Sequence, residues 1–308
     1  MDLATRYLGL QLRHPFMPGA SPLTADIDTV RRLEDAGAAA IVLPSLFQED
    51  IVRYETTADA YLEHLFRVKR RVACPVIASL NGTTPESWLR YARLIEQAGA
   101  DALELNFYHI PIDLSEDSSR VERRVIDIVA VLKESLGIPL AVKLAPFYSS
   151  LPHLAAALDR IGADGLVLFN RFFQPDIDPV RAEPTWHLTL TDSSELSLRL
   201  QWIAVLAGRI RPSLAITGGV RDAIDAVKSV MAGADAVQVV SSLFAFGPAR
   251  LRVMLREFEA WGDAHGYQSI GQLRGRVSLQ QYPDPLVFQR GNYVRLLQAA
   301  NKHGSLVG

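Results

Sequence analysis

Lys143 closes the apolar run Pro139–Leu144, where an ammonium is costly to bury unless something anionic meets it. The residue type allows three readings: a nucleophile that forms a Schiff base, a cation held against a reduced flavin, or a side chain that escapes to solvent. Other groups with chemistry to offer stand at the ends of comparable runs. These are Ala20 and Ser21, Pro44 and Ser45, Ser79 with Asn81, Asn106, Asn170, Gly218 with Gly219, and Ser241 with Ser242. The three asparagines present donor and acceptor together, which suits a flat heterocycle with alternating carbonyl and N–H groups. Gly218 and Gly219 follow the run Leu214–Thr217 and precede a helix opening near Asp222. Their backbone N–H groups can approach an oxyanion, with the helix end adding a favourable field. The plainer reading of the pair is a tight turn.

These residues need a scaffold that gathers strand ends. One pattern recurs four times, in Ala36–Leu43, Ala98–Leu105, Ile161–Leu168 and Ala232–Val239: an amphipathic stretch runs into Gly-Ala and then a short apolar run. That is the signature of a helix stopped by a left-handed glycine (Gly37, Gly99, Gly162, Gly233) and followed by a buried parallel strand. With the runs between the copies, strands are expected near 16–21, 39–44, 75–80, 102–107, 139–144, 165–170, 214–219 and 236–241. Helical periodicity fills the gaps, as at Leu89, Ala92, Ile95 and Glu96. Eight strands alternating with helices predict an α/β fold, a single-domain (β/α)8 TIM barrel. The alternative is a doubly wound open sheet, but a G-x-G-x-x-G after the first strand is absent. In a barrel the C-terminal strand ends carry the chemistry, and phosphate is often held after strands 7 and 8, here at Gly218-Gly219 and Ser241-Ser242.

Two connections are long. Ser45–Ala73 carries a helical pattern at Tyr61, Leu65 and Val68, and 171–196 is rich in Pro and Asp. Segments of this length usually serve as lids or binding loops. The barrel is expected over 1–261, with 262–308 as a C-terminal extension packed on it and ending in a helix near 286–301.

Bulk properties exclude several functions. The 308 residues are 49% hydrophobic and 21% charged, with a net charge of −2 and scattered basic residues, so no nucleic-acid footprint is present. The single cysteine, Cys74, excludes a disulfide within the chain and an iron–sulfur cluster held by this chain alone. No metal site is expected. No signal-type or membrane-spanning apolar stretch is present, and a cytoplasmic protein acting on a small molecule is expected.

Eight segments, in order and at matching spacing, carry a resemblance. They are Tyr7–Phe16 with Gly19–Leu23, Pro75–Gly82, Ala98–Asn106, Val142–Leu144, Thr217–Val220, Ala232–Gln238 and Ser269–Gly275. From about residue 2 to 275 the chain resembles dihydroorotate dehydrogenases, and more narrowly the bacterial dihydroorotate dehydrogenase-like proteins. The resemblance implies FMN at the barrel top and a dimer. It places Ala20 and Ser21 along the isoalloxazine, with Ser79 adding a polar contact. Asn106, Lys143 and Asn170 would surround the pyrimidine edge and the substrate, with Asn81 nearby. Gly218, Gly219, Ser241 and Ser242 would hold the phosphate. Lys143 would offset negative charge as hydride arrives at flavin N5.

The chain also departs from the family. Where the family supplies a cysteine or serine base after the fourth strand, this chain has His109, with Tyr108 as a second candidate. A histidine with a reference pKa of about 6.5 is a competent base. Pro44 replaces a lysine that contacts the flavin. The asparagine-rich substrate motif gives way to Gln48, Glu49, Asp50, Arg53 and Glu55. Arg171 follows Asn170, where it would grip a substrate carboxylate or pair with Asp176 or Asp178. The expected activity is oxidation of a C–C single bond in dihydroorotate or a related ring, of the pyrimidine-biosynthesis type. A flavoprotein electron-transfer or regulatory subunit, and a Lys143 Schiff-base aldolase on a phosphorylated substrate, are the alternatives. The electron acceptor, or a partner subunit that receives the electrons, is left open.

Overall fold

The computed structural model describes residues 1–47, 55–82, 85–171, 175–187, 189–289 and 291–303. The barrel strands are β1 (Phe16–Pro18), β2 (Ile41–Phe47), β3 (Val76–Asn81), β4 (Ala102–Asn106), β5 (Leu140–Leu144), β6 (Gly165–Leu168), β7 (Ser213–Thr217) and β8 (Ala236–Val239). All neighbours pair in parallel, in the order β1-β8-β7-β6-β5-β4-β3-β2. The ring closes where the Ala39 N–H donates to the Phe16 carbonyl at 3.0 Å. The fold is the expected (β/α)8 barrel, with each expected strand present. The four repeat glycines all have φ between 88° and 124°, a region disfavoured for other residues.

Every second side chain of a strand points outward to the helices. Leu103, Leu105, Leu140, Val142, Leu166, Leu168, Leu214 and Ile216 form this outer shell with residues such as Val129, Leu132, Leu154 and Ile203. On the inner side the lower strand positions are small: Ala102, Ala141, Gly165, Ala215 and Ala236. Their size leaves room for a plug. The N-terminal hairpin, Thr5–Tyr7 paired with Leu10–Leu12, sends Tyr7, Leu8 and Leu12 into the bore against those alanines. A Cβ on Gly165 would lie 2.4 Å from Leu8 Cδ2, so the plug and the glycine require each other.

β2 runs past its expected end. Its register with β3 shifts between Val42 and Ser45, so Pro44, which has no N–H to give, sits in the irregularity. The shift sets Ser45 opposite Ser79. The helical pattern in the first long connection forms helix Glu55–Lys69. The second long connection contains a hairpin, Asp176–Asp178 with Glu183–Thr185. Its turn is held by Asp178 Oδ1, which accepts from the N–H groups of Val180 and Arg181 at 2.8 and 3.1 Å. A carboxylate capping its own turn was not apparent as a strand signal. Helix Arg250–Ala264 runs through residue 262, where the extension was expected to begin. Beyond it the chain returns to the barrel helices: the N–H groups of Gly275, Val277 and Leu279 donate to the carbonyls of Val230, Met231 and Ala204. The last helix is Gly291–His303. Among the described residues no helix is long and apolar enough to cross a membrane.

His14 gives the fold a pH dependence. It is buried beside β1, its Nδ1 accepts the Phe16 N–H at 3.2 Å, and burial lowers its pKa to about 4, with Arg13 adding to the shift. Between pH 6.5 and 4 the unfolded chain therefore binds more protons than the native one, and stability falls as pH falls through that window. From pH 7 to 5 the expected loss is about 2 kcal/mol. Urea denaturation at the two pH values checks this: His14→Asn should flatten the difference, and an unchanged slope would remove His14 as its source.

Candidate active site

At the upper end of the bore the inward positions turn polar. β3 supplies Ser79 and Asn81, β4 Glu104 and Asn106, β5 Lys143, β7 Thr217 and β8 Gln238, and all are buried. Asn170 follows β6 and is fixed by its own N–H, which donates to the Leu144 carbonyl at 2.8 Å. The β4–β5 register places Asn106 beside Lys143.

Two hydrogen-bonded chains organise these groups. In the first, Asn170 Nδ2 donates to Asn106 Oδ1 and, at 3.0 Å, to the Phe107 carbonyl. Asn106 Nδ2 in turn donates to Ser45 Oγ at 3.2 Å, and Ser45 lies 2.7 Å from Ser79 Oγ. Because Ser45 accepts from Asn106, its own proton is available for Ser79. Tyr61 from helix Glu55–Lys69 anchors this side, bonding both the N–H (2.9 Å) and the carbonyl (3.1 Å) of Ser79. In the second chain, Lys143 Nζ donates to Glu104 Oε1 at 3.2 Å and Gln238 Nε2 donates to Glu104 Oε2 at 2.6 Å. The Lys143 and Glu104 side chains are 8% and 1% exposed. The lysine is thus met first by a carboxylate of its own chain, and it does not escape to solvent.

A third group lies at the ends of β7 and β8. Gly218 and Gly219 have φ of 82° and 79°. Both are required to be glycine by close approach: a Cβ would meet Arg199 Nη2 in one case and the Leu196 backbone N in the other, each at 2.8 Å. The Gly219 N–H donates to Thr191 Oγ1 at 3.1 Å, while Ser241 Oγ lies 2.7 Å from that hydroxyl and accepts the Thr191 N–H at 3.0 Å. Gly219, Thr191 and Ser241 therefore form one corner rich in donors. Ser242 stands beside it, but its hydroxyl is committed to the Arg221 carbonyl at 2.8 Å.

The remaining expected residues are distributed more widely. Ala20 packs on the inner barrel cluster, and Ser21 is buried. Tyr108 and Arg171 are half-buried, and Arg171 lies close enough to Arg199 for the two cations to repel. His109 belongs to a separate constellation on the loop after β4. Its Nε2 lies 3.0 Å from Glu116 Oε2 and 2.8 Å from Arg124 Nη1, and Arg124 also pairs with Glu116. The hydrogen bond with His109, then the Arg124 charge, holds the Glu116 carboxyl below the usual range. Gln48, Glu49, Asp50 and Arg53 lie outside the described residues. Cys74 precedes β3, and burial pushes its thiol up to about 12, which leaves it unreactive at neutral pH. Among the described residues no cluster of metal-binding side chains is present.

Sequence reasoning passed over Glu104, Gln238, Thr191 and Arg199. Glu104 and Gln238 were accessible by parity, since Glu104 is two residues before Asn106 and Gln238 two after Ala236, on the inward side. Thr191 lies in an irregular connection and carries no such signal.

The family profile for dihydroorotate dehydrogenase matches residues 55–261, more than half of the chain. The chain belongs to the dihydroorotate dehydrogenase family. It is 26% identical over 301 residues to a Thermoplasma acidophilum protein named dihydroorotate dehydrogenase B (NAD(+)), catalytic subunit, covering 89% of this chain and 98% of that one. A Methanothermobacter thermautotrophicus protein of the same name is 26% identical over 299 residues, covering 89% and 97%. One from a Geobacter species, also of that name, is 30% identical over 233 residues, covering 72% and 74%. This dihydroorotate dehydrogenase family member is therefore an oxidoreductase, and the family implies a flavin.

The residues present fit such a guest at the ring end. Ser21 Oγ and Gln238 Oε1 are buried without a hydrogen-bond partner among the described residues, an arrangement that asks for a polar ligand. One Lys143 N–H is engaged by Glu104, which leaves the others for a guest. At the phosphate end the donors are present but bonded to one another through Thr191, so an incoming phosphate would exchange internal hydrogen bonds for its own.

Proposed function

We propose that this protein binds FMN at the barrel mouth and oxidises a C–C single bond of dihydroorotate or a related dihydropyrimidine, with His109 receiving the proton. The observation that carries this reading is Lys143, a buried cation held by Glu104, which Gln238 bonds in turn, in register with Asn106 at the polar end of the bore.

Bound FMN would supply the two-electron acceptor for a hydride. Lys143 would place positive charge where negative charge grows, inside a site of low dielectric. Asn106 and Asn170, already joined, would present amide edges to flavin and substrate, with Asn81 and Ser79 adding to the polar wall. Ala20 and Ser21 would flank the ring. The N–H groups of Gly218, Gly219 and Thr191, with the Ser241 hydroxyl, would hold the phosphate, while Ser242 would brace the turn behind it. His109 would remove the ring proton, with Tyr108 as the second candidate, and Arg171 would take the substrate carboxylate in two parallel bonds. The relatives' names, catalytic subunits of an NAD(+) enzyme, support a second protein that takes the electrons onward. The Schiff-base alternative loses ground to the 3.2 Å contact with Glu104, because an ammonium engaged with a carboxylate has no lone pair for attack.

The test is an absorbance spectrum followed by anaerobic addition of dihydroorotate. A yellow protein whose flavin band bleaches is expected. A protein that stays colourless after reconstitution with FMN would defeat the cofactor assignment. Bound flavin that no dihydropyrimidine bleaches would leave the electron-transfer subunit as the better reading.

A further inference from the structure

The contacts of His109 make opposite demands on one nitrogen. Nε2 lies 3.0 Å from a Glu116 carboxylate oxygen, which can only accept, and 2.8 Å from an Arg124 nitrogen, which can only donate. A ring nitrogen carries either a proton or a lone pair, so only one of the two is a hydrogen bond at a time. The surroundings decide between them. The Glu116 side chain is 9% exposed, whereas that of Arg124 is 38% exposed and can turn to water while keeping its own bond to Glu116. A sheltered carboxylate loses more from a missing donor than a half-exposed guanidinium loses from a missing acceptor. The proton therefore belongs on Nε2. Nδ1 has no partner among the described residues, and His109 is one of the residues lining an apolar cavity of about 290 Å³, with Phe107, Ile110, Phe147 and Tyr148.

Resting on the reading of His109 as the base, we infer that Glu116 is a positioning residue that fixes the Nε2–H tautomer and leaves Nδ1 to receive the substrate proton. The C–H proton goes to Nδ1, the Nε2–H bond to Glu116 is kept, and Glu116 offsets the imidazolium charge. The hydride would leave separately with its electron pair, to the two-electron acceptor that bound flavin would supply in the proposed reaction. Neither Glu116 nor Arg124 touches the reacting atoms.

The experiment uses full-length protein carrying nitrogen-15 histidine, with His109 assigned through His109→Gln. Ring nitrogen shifts distinguish the two neutral tautomers. The wild type should show Nε2–H, and Arg124→Leu should keep it. Glu116→Leu should turn the ring to Nδ1–H, now accepting from Arg124, and slow flavin reduction by dihydroorotate by on the order of a hundredfold at unchanged KM. Glu116→Gln, which preserves shape, serves if the leucine variant fails to fold, with a partial loss of Nε2–H expected. A wild type in the Nδ1–H form overturns the inference, as does a Glu116 variant of normal rate when His109→Gln is slow. Expected tautomers with a normal rate in His109→Gln would instead overturn the base assignment, and with it any catalytic part for Glu116.

Discussion

Glu104→Leu is expected to lose about 3–5 kcal/mol of folding stability, because it leaves the buried Lys143 ammonium without its carboxylate partner. The side chain removed is 1% exposed and holds both Lys143 and the Gln238 amide. Adding Lys143→Met should recover most of the loss, since an apolar pair of similar volume is close to neutral in place of a buried ion pair. What remains is the orphaned Gln238 donor, worth about 1–3 kcal/mol. Urea unfolding of both single variants and the double variant gives the coupling directly. Equal losses in Glu104→Leu and in the double variant would show that Lys143 does not depend on Glu104. The same series separates folding from function: the double variant should be folded yet weak in flavin binding, because the cation offered to the guest has gone.

The second large effect concerns His109. Its side chain is 44% exposed and its partners are Glu116 on the same loop and Arg124 on the helix that follows, Ser118–Ser135, so His109→Gln should leave stability close to wild type. Flavin reduction by dihydroorotate should slow by about 10²–10⁴-fold, the range for loss of a general base. Anaerobic stopped-flow mixing measures the step in isolation. Tyr108→Phe should stay near the wild-type rate; if it slows while His109→Gln does not, the base is the tyrosine.

The barrel was readable because its punctuation is physical. A glycine that must adopt positive φ, followed by a small residue and a short apolar run, marks Gly37, Gly99, Gly162 and Gly233 without reference to any partner. The site was readable in part for the same reason: Asn106, Lys143 and Asn170 end such runs, and parallel strands bring their ends together. The pairing of Lys143 was not. A buried cation announces a need for negative charge, and two sources could meet it, a guest or a neighbouring strand. Choosing between them requires the β4–β5 register, which sequence periodicity leaves open. Thr191 and Glu116 were hidden more deeply, as they sit on irregular connections where spacing carries no information about facing. The β2 irregularity was obscured by Pro44, which reads as a strand end and in fact carries the strand onward to Ser45.

The N-terminal hairpin has a consequence for traffic. With Tyr7, Leu8 and Leu12 filling the lower part of the bore, Lys143 and Glu104 lie above a packed floor rather than in a pipe. Among the described residues the floor is packed, so a visiting molecule bound for that pair would arrive over the loops that follow the strands, those of His109 and Thr191 among them. Sequence change in those loops can therefore alter what the enzyme admits while the charged pair beneath stays as it is.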